Sequence, residues 1–172
     1  MSTIKDIKLA NVGQQEVDWA ARQMKVLDEI KSDFMKNKPL EGLNIGACMH
    51  VTKETANLML TLKSAGANVS LCASNPLSTK DSVAAYLSEN DVEVHAVHGV
   101  SNDDFFKPLN SVLDTQPDIT MDDGADLVSL LHTERSDIPV MGSMEETTTG
   151  VIRLKSMEKN NKLRFPVVAV ND

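Results

Sequence analysis

The chain has 172 residues, with 25 Asp and Glu against 17 Lys and Arg, a formal charge of −8 and 41% hydrophobic residues. That length suits one ordinary domain whose core needs neither disulfide nor metal. An acidic chain without a basic stripe or aromatic platform disfavours nucleic acid as a partner, and no apolar run approaches the roughly 20 residues that a membrane span needs.

In chain order, the hydrophobic period switches repeatedly between helical and extended, with Gly or Pro at most of the switches. Val17, Ala20, Ala21, Met24, Leu27, Ile30 and Phe34 recur at helical spacing and predict one long amphipathic helix from Glu16 to Met35, closed off by Pro39. Leu43 to Met49 reads as a buried strand, and Thr52 as the N-cap of a helix from Lys53 to Ser64. Ala67 to Ala73 is a second strand, followed by a helix capped by Ser78 or Thr79 and running to about Ser88. Val92 to Val97 is a third, followed by a helix from Asp103 to Asp114. Asp118 to Asp122 is a fourth, with helical turns from Ala125 to Leu131, and Ile138 to Gly142 a fifth. Thr147 to Lys159 is a helix, and Phe165 to Val170 a sixth strand or an extended connection. Strands joined by helices force parallel pairing with right-handed crossovers. The expected architecture is therefore α/β and doubly wound, a mostly parallel sheet with helices on both faces, with no repeat or linker to divide residues 1–172.

The most informative segments are MDDGADLVSLLHT (Met121 to Thr133), GSMEETTTG (Gly142 to Gly150) and GACMHVTKET (Gly46 to Thr55). Asp122, Asp123, Glu145 and Glu146 stand where apolar β-type runs give way to Gly or Thr, where an α/β protein presents groups to a ligand. Close carboxylates perturb one another and can divide acid and base roles. Three such corners predict one composite site. Cys48 and Cys72 lie inside apolar runs and read as reduced core thiols of an intracellular protein. Ending on the apolar FPVVAV, with no lysine or phosphate-cradling glycine loop near the acidic corners, the chain reads as part of something longer.

CMHVTKET, SNPLSTKD, MDDGADL, EETTTG and PVVAVND, five motifs at compatible spacing, resemble the adenosylhomocysteinase (S-adenosylhomocysteine hydrolase) family along nearly the whole chain. The resemblance implies the N-terminal part of a substrate-binding domain, with a separate NAD-binding Rossmann domain outside this chain, which has no GxGxxG. It implies NAD-dependent hydrolysis of S-adenosylhomocysteine to adenosine and homocysteine in the cytoplasmic methyl cycle, by a homotetramer when full length. A shorter chain of this kind would be inactive alone.

By the same resemblance, Asp123 is the base near C4′ of the substrate ribose, and His50 the acid/base near the leaving thiol and attacking water. Imidazole suits that task because it can accept and return a proton at physiological pH. Thr52 and Glu54 match purine-contacting positions, Glu146 the carboxylate on the ribose hydroxyls, and Thr147, Thr148 and Thr149 the run that reaches the cofactor. Each has a plainer reading: Asp123 in a turn, His50 and Thr52 at a helix start, Glu54 beside the helix dipole, and the threonines opening a helix. Asp122, Glu145 and Asp126 have no separable roles. His95 and His98 read as structural or solvated, and His132 has no catalytic step. The NPL wording resembles archaeal and thermophilic-bacterial members, some of which favour an inosine-type substrate, whereas Glu54 argues for adenine. A methyltransferase would need a glycine-rich first loop that is missing. The noncatalytic alternative is a nucleoside-binding or oligomerising module.

Overall fold

The computed structural model describes residues 1–101 and 106–171. After a 3-10 turn at Ile7–Leu9, the chain forms α1 (Ala10–Ala21), α2 (Lys25–Asn37), β1 (Asn44–Met49), α3 (Lys53–Ser64), β2 (Asn68–Ala73), α4 (Asp81–Glu89) and β3 (Glu93–His95). The second half forms α5 (Phe106–Asp114), β4 (Ile119–Asp122), α6 (Asp126–Thr133), β5 (Gly142–Glu145), α7 (Thr148–Lys159) and β6 (Val167–Ala169). The expected start of the fifth helix at Asp103 lies outside the described residues.

The six strands form one sheet in the order β3-β2-β1-β4-β5-β6, and every pairing is parallel. Strand order reverses between β1 and β4, and the carboxyl ends there open the crevice in which doubly wound sheets bind ligands. One core layer joins Ile45, Ala47, Val69 and Leu71 of the sheet to Met59 of α3 and Leu87 of α4. The opposite layer joins Cys48 and Cys72 to Leu109, Val112 and Leu113 of α5 and to Leu127 and Leu131 of α6. The split follows from the alternation of side chains along a strand. The two thiols are free, buried and in register across β1 and β2.

Three expectations need correction. The long N-terminal helix is two helices: Met24 leaves helical geometry at φ −105°, ψ 52°, with its N–H and that of Gln23 closing short turns onto Ala21 and Ala20. Packing explains the break. α1 packs on both α4 and α3, and a Cβ added to its Gly13 would stand 2.0 Å from the Ser82 carbonyl oxygen, whereas α2 turns to pack on α3. The fifth strand begins only at Gly142, because Pro139 has no N–H for a ladder and the pairing with β4 runs from Ile119↔Gly142 to Asp122↔Glu145. Neither Ser78 nor Thr79 caps α4. Thr79 bridges to Val51 in extended backbone, Ser78 Oγ bonds back to Asn75, and Lys80 precedes the helix without a side-chain cap.

Candidate active site

The acidic corners and the histidine corner meet at the carboxyl ends of β1, β4 and β5. The Asp123 N–H donates to the Cys48 carbonyl at 3.0 Å and the Glu146 N–H to the Asp122 carbonyl at 2.8 Å, each extending a strand pairing by one residue. Asp123 therefore stands beside His50, which follows β1. His50 Nε2 lies 3.4 Å from Asp123 Oδ2, Ser74 Oγ donates to the same oxygen at 3.4 Å, and the Asn75 amide nitrogen is 3.3 Å from His50 Nε2. The His50 side chain is 53% exposed and that of Asp123 19%, so the pair faces open space with the carboxylate deeper.

That space is a cavity of about 750 Å³ whose wall includes His50, Thr52, Glu54, Asp123 and Glu146. Its apolar side comes from Met24, Val26, Leu27 and Ile30 at the start of α2, with Met49 and Leu58. A flat heteroaromatic ring with hydrogen-bonding edges fits such a wall, mostly apolar with a few polar groups. Thr52 has both capabilities that its sequence position suggests: it caps α3, accepting from the Thr55 N–H at 3.3 Å, and it faces the cavity. Thr147, Thr148 and Thr149 are not part of that wall. Thr147 is the residue before α7 and the other two open it, with Thr148 and Thr149 exposed.

Beneath the pair lie two carboxylates that the sequence left without roles. Asp122 is buried and accepts from the Leu127 and Val128 N–H groups at 3.1 and 2.9 Å. Burial pushes its pKa up to about 7, against the lowering effect of those two donors. Glu145 is also fully buried, and burial likewise raises its pKa. Asp126, by contrast, pairs with Arg153 at 3.0 Å.

The remaining histidines stand in other contacts. His95 is buried in β3 beside Glu93 and Thr3, and His98 lies against the Thr79 carbonyl and Asp81. His132 Nδ1 sits 2.7 Å from the Val128 carbonyl, while Nε2 accepts the Arg164 N–H at 2.9 Å, tying α6 to the segment before β6. Ser74, Asn75 and the start of α2 went unassigned from sequence. SNPLSTKD was a visible signal for the first two; nothing local marks the third.

A family model described as S-adenosyl-L-homocysteine hydrolase matches residues 1–140 and 135–172. Among curated relatives, the adenosylhomocysteinase of Aquifex aeolicus is 51% identical over 172 residues, 98% of this chain and 41% of the relative. That of Pyrococcus abyssi is 50% identical over 171 residues, 98% of this chain and 40% of the relative. The S-inosyl-L-homocysteine hydrolase of Methanococcus maripaludis is 49% identical over 174 residues, 100% of this chain and 42% of the relative. The chain thus spans about 40% of the length of the curated relatives it matches.

Proposed function

The chain belongs to the S-adenosyl-L-homocysteine hydrolase family, and from that premise we propose that it is the N-terminal part of the substrate-binding domain of an enzyme that reversibly cleaves S-adenosyl-L-homocysteine to adenosine and L-homocysteine. One observation carries the reading: His50, Thr52, Glu54, Asp123 and Glu146, from three separate corners, line one cavity at the strand-order reversal.

Thr52 and Glu54 read the purine edge, the hydroxyl bonding a ring nitrogen and the carboxylate accepting from an exocyclic amine. Glu146 takes the ribose hydroxyls with its two acceptor oxygens. Asp123 removes the C4′ proton, and His50 carries a proton to the departing homocysteine sulfur and takes one from the water that adds at C5′. NAD bound beside the ribose would supply reversible hydride acceptance at C3′, and the 3′-ketone left on the sugar would acidify the C4′ proton. Thr147, Thr148 and Thr149 suit that cofactor: among the described residues their hydroxyls have no hydrogen-bond partner, and they stand at the positive end of a 12-residue helix. Its remaining contacts belong to a cofactor domain outside this chain.

The full-length enzyme is read as a cytoplasmic homotetramer of the methyl cycle, and the 172-residue chain as a nucleoside binder without turnover. Thiol release by the full-length, NAD-loaded enzyme, offered S-adenosyl- and S-inosyl-L-homocysteine in parallel, tests the reading. Faster release from the adenosyl compound supports Glu54 as a reader of the 6-amino group. Faster release from the inosyl compound reverses that assignment, and no release from either refutes the activity.

A further inference from the structure

Glu145 occupies an unusual position for an acidic residue at the end of a strand. Its side chain has no exposed surface, and among the described residues no cation is a hydrogen-bond partner of it. Instead, Oε1 accepts the N–H of Gly124 at 2.8 Å and that of Thr147 at 3.1 Å, and the nearby Ala125 N–H favours the ionised carboxylate. Oε2 is buried without a hydrogen-bond partner among the described residues. Gly124 and Ala125 both have positive φ, 124° and 60°, a conformation that an alanine rarely adopts. Successive N–H groups turned to one side in this way form a small anion-binding concavity, and the Glu145 carboxylate fills it.

The packing around the carboxylate leaves it little freedom. Gly150 of α7 lies directly over it: a Cβ at that position would stand 2.2 Å from Glu145 Cδ. The far side of the Gly124 peptide is also held, because Arg153 of α7 donates to the Gly124 carbonyl and to Asp126. The turn clamped between these contacts begins at Asp123, whose carboxylate faces His50 across 3.4 Å.

The geometry points to Glu145 as a positioning residue that holds the Gly124–Ala125 turn in its left-handed form and thereby aims the Asp123 carboxylate. This inference rests on the proposed role of Asp123 as the C4′ base. It requires reach as well as an acceptor: a side chain one methylene shorter cannot span to both Gly124 and Thr147, whereas glutamine keeps the length and one acceptor oxygen.

The test uses the full-length, NAD-loaded enzyme with adenosine in deuterated water, reading cofactor reduction by absorbance and deuterium entry at C4′ by NMR. In Glu145→Asp, C4′ exchange is expected to fall on the order of tenfold or more, since a displacement of about 1 Å at a reacting group can cost that much. Cofactor reduction falls clearly less than exchange, since only the Thr147 N–H of the threonine run loses a partner, and Glu145→Gln recovers most of the exchange. Exchange unchanged in Glu145→Asp, or reduction and exchange lost together, overturns the inference. If Glu145→Asp gives no folded enzyme, Gly150→Ala, which keeps the carboxylate but displaces it, is judged by the same criteria, and its failure to fold counts against the inference as well. Asp123→Asn separates the two claims. If it exchanges like wild type, the role of Asp123 falls and this inference with it; if it loses exchange while Glu145→Asp keeps it, only the inference falls.

Discussion

Replacing Asp122 with asparagine should flatten the pH dependence of stability, because Asp122 is fully buried and its pKa is pushed up to about 7. An unfolded aspartate titrates near 3.9. Between those two values the folded chain carries a proton that the unfolded chain has lost, so the contribution of this group to stability is complete below about pH 4 and fades as pH rises towards and through 7. Integrated from pH 5 to pH 8, the loss comes to about 2.5 kcal/mol. Asparagine cannot ionise, and its oxygen still accepts one of the two N–H bonds from Leu127 and Val128. Its absolute stability will differ, but the quantity of interest is the change with pH. Urea unfolding of both proteins at pH 5, 6, 7 and 8 should show the wild type losing about 2.5 kcal/mol relative to Asp122→Asn across that range. A difference constant to within about 0.5 kcal/mol would refute the assignment of a neutral Asp122 at pH 5 to the folded protein.

Thr52→Ala removes the cap on α3 and should lower stability by about 1 kcal/mol, whereas Thr52→Ser keeps a capping hydroxyl and should change it little; equal losses in denaturant unfolding would contradict the capping role. Adenosine affinity measured by calorimetry should also fall in Thr52→Ala and largely persist in Thr52→Ser, since only the first loses the hydroxyl. Gly13→Ala would press a methyl group towards the Ser82 carbonyl at 2.0 Å and should destabilise by about 1–3 kcal/mol. An unchanged melting temperature would mean that α1 and α4 cross less closely than described.

The architecture was legible wherever local chemistry and packing agree. Thr52 before an amphipathic run marks α3, whose bounds at Lys53 and Ser64 match the reading from sequence, and the apolar runs ending at Met49 and Ala73 mark β1 and β2. Legibility failed where tertiary contacts decide. Arg22, Gln23 and Met24 carry neither glycine nor proline, so the break between α1 and α2 leaves no local trace, although it brings Met24, Val26 and Leu27 to the cavity. In β5 the signal misled in the other direction: Ile138–Pro139–Val140 looks extended, whereas the paired residues are the more polar Gly142 to Glu145. Glu145 and Glu146 consequently read alike. Strand alternation separates them, burying Glu145 and exposing Glu146. Burial, not residue type, divides the acidic corner into carboxylates that support the turns and carboxylates that face the cavity.

The most direct test is homocysteine thiol release from S-adenosyl-L-homocysteine by the full-length, NAD-loaded enzyme, wild type against Asp123→Asn. Expected is steady release by the wild type and a loss on the order of a thousandfold or more in the variant, which still purifies with NAD, in line with the upper range for a positioned general base. Release by Asp123→Asn at a rate near that of the wild type would contradict the reading of this cavity as the hydrolase site.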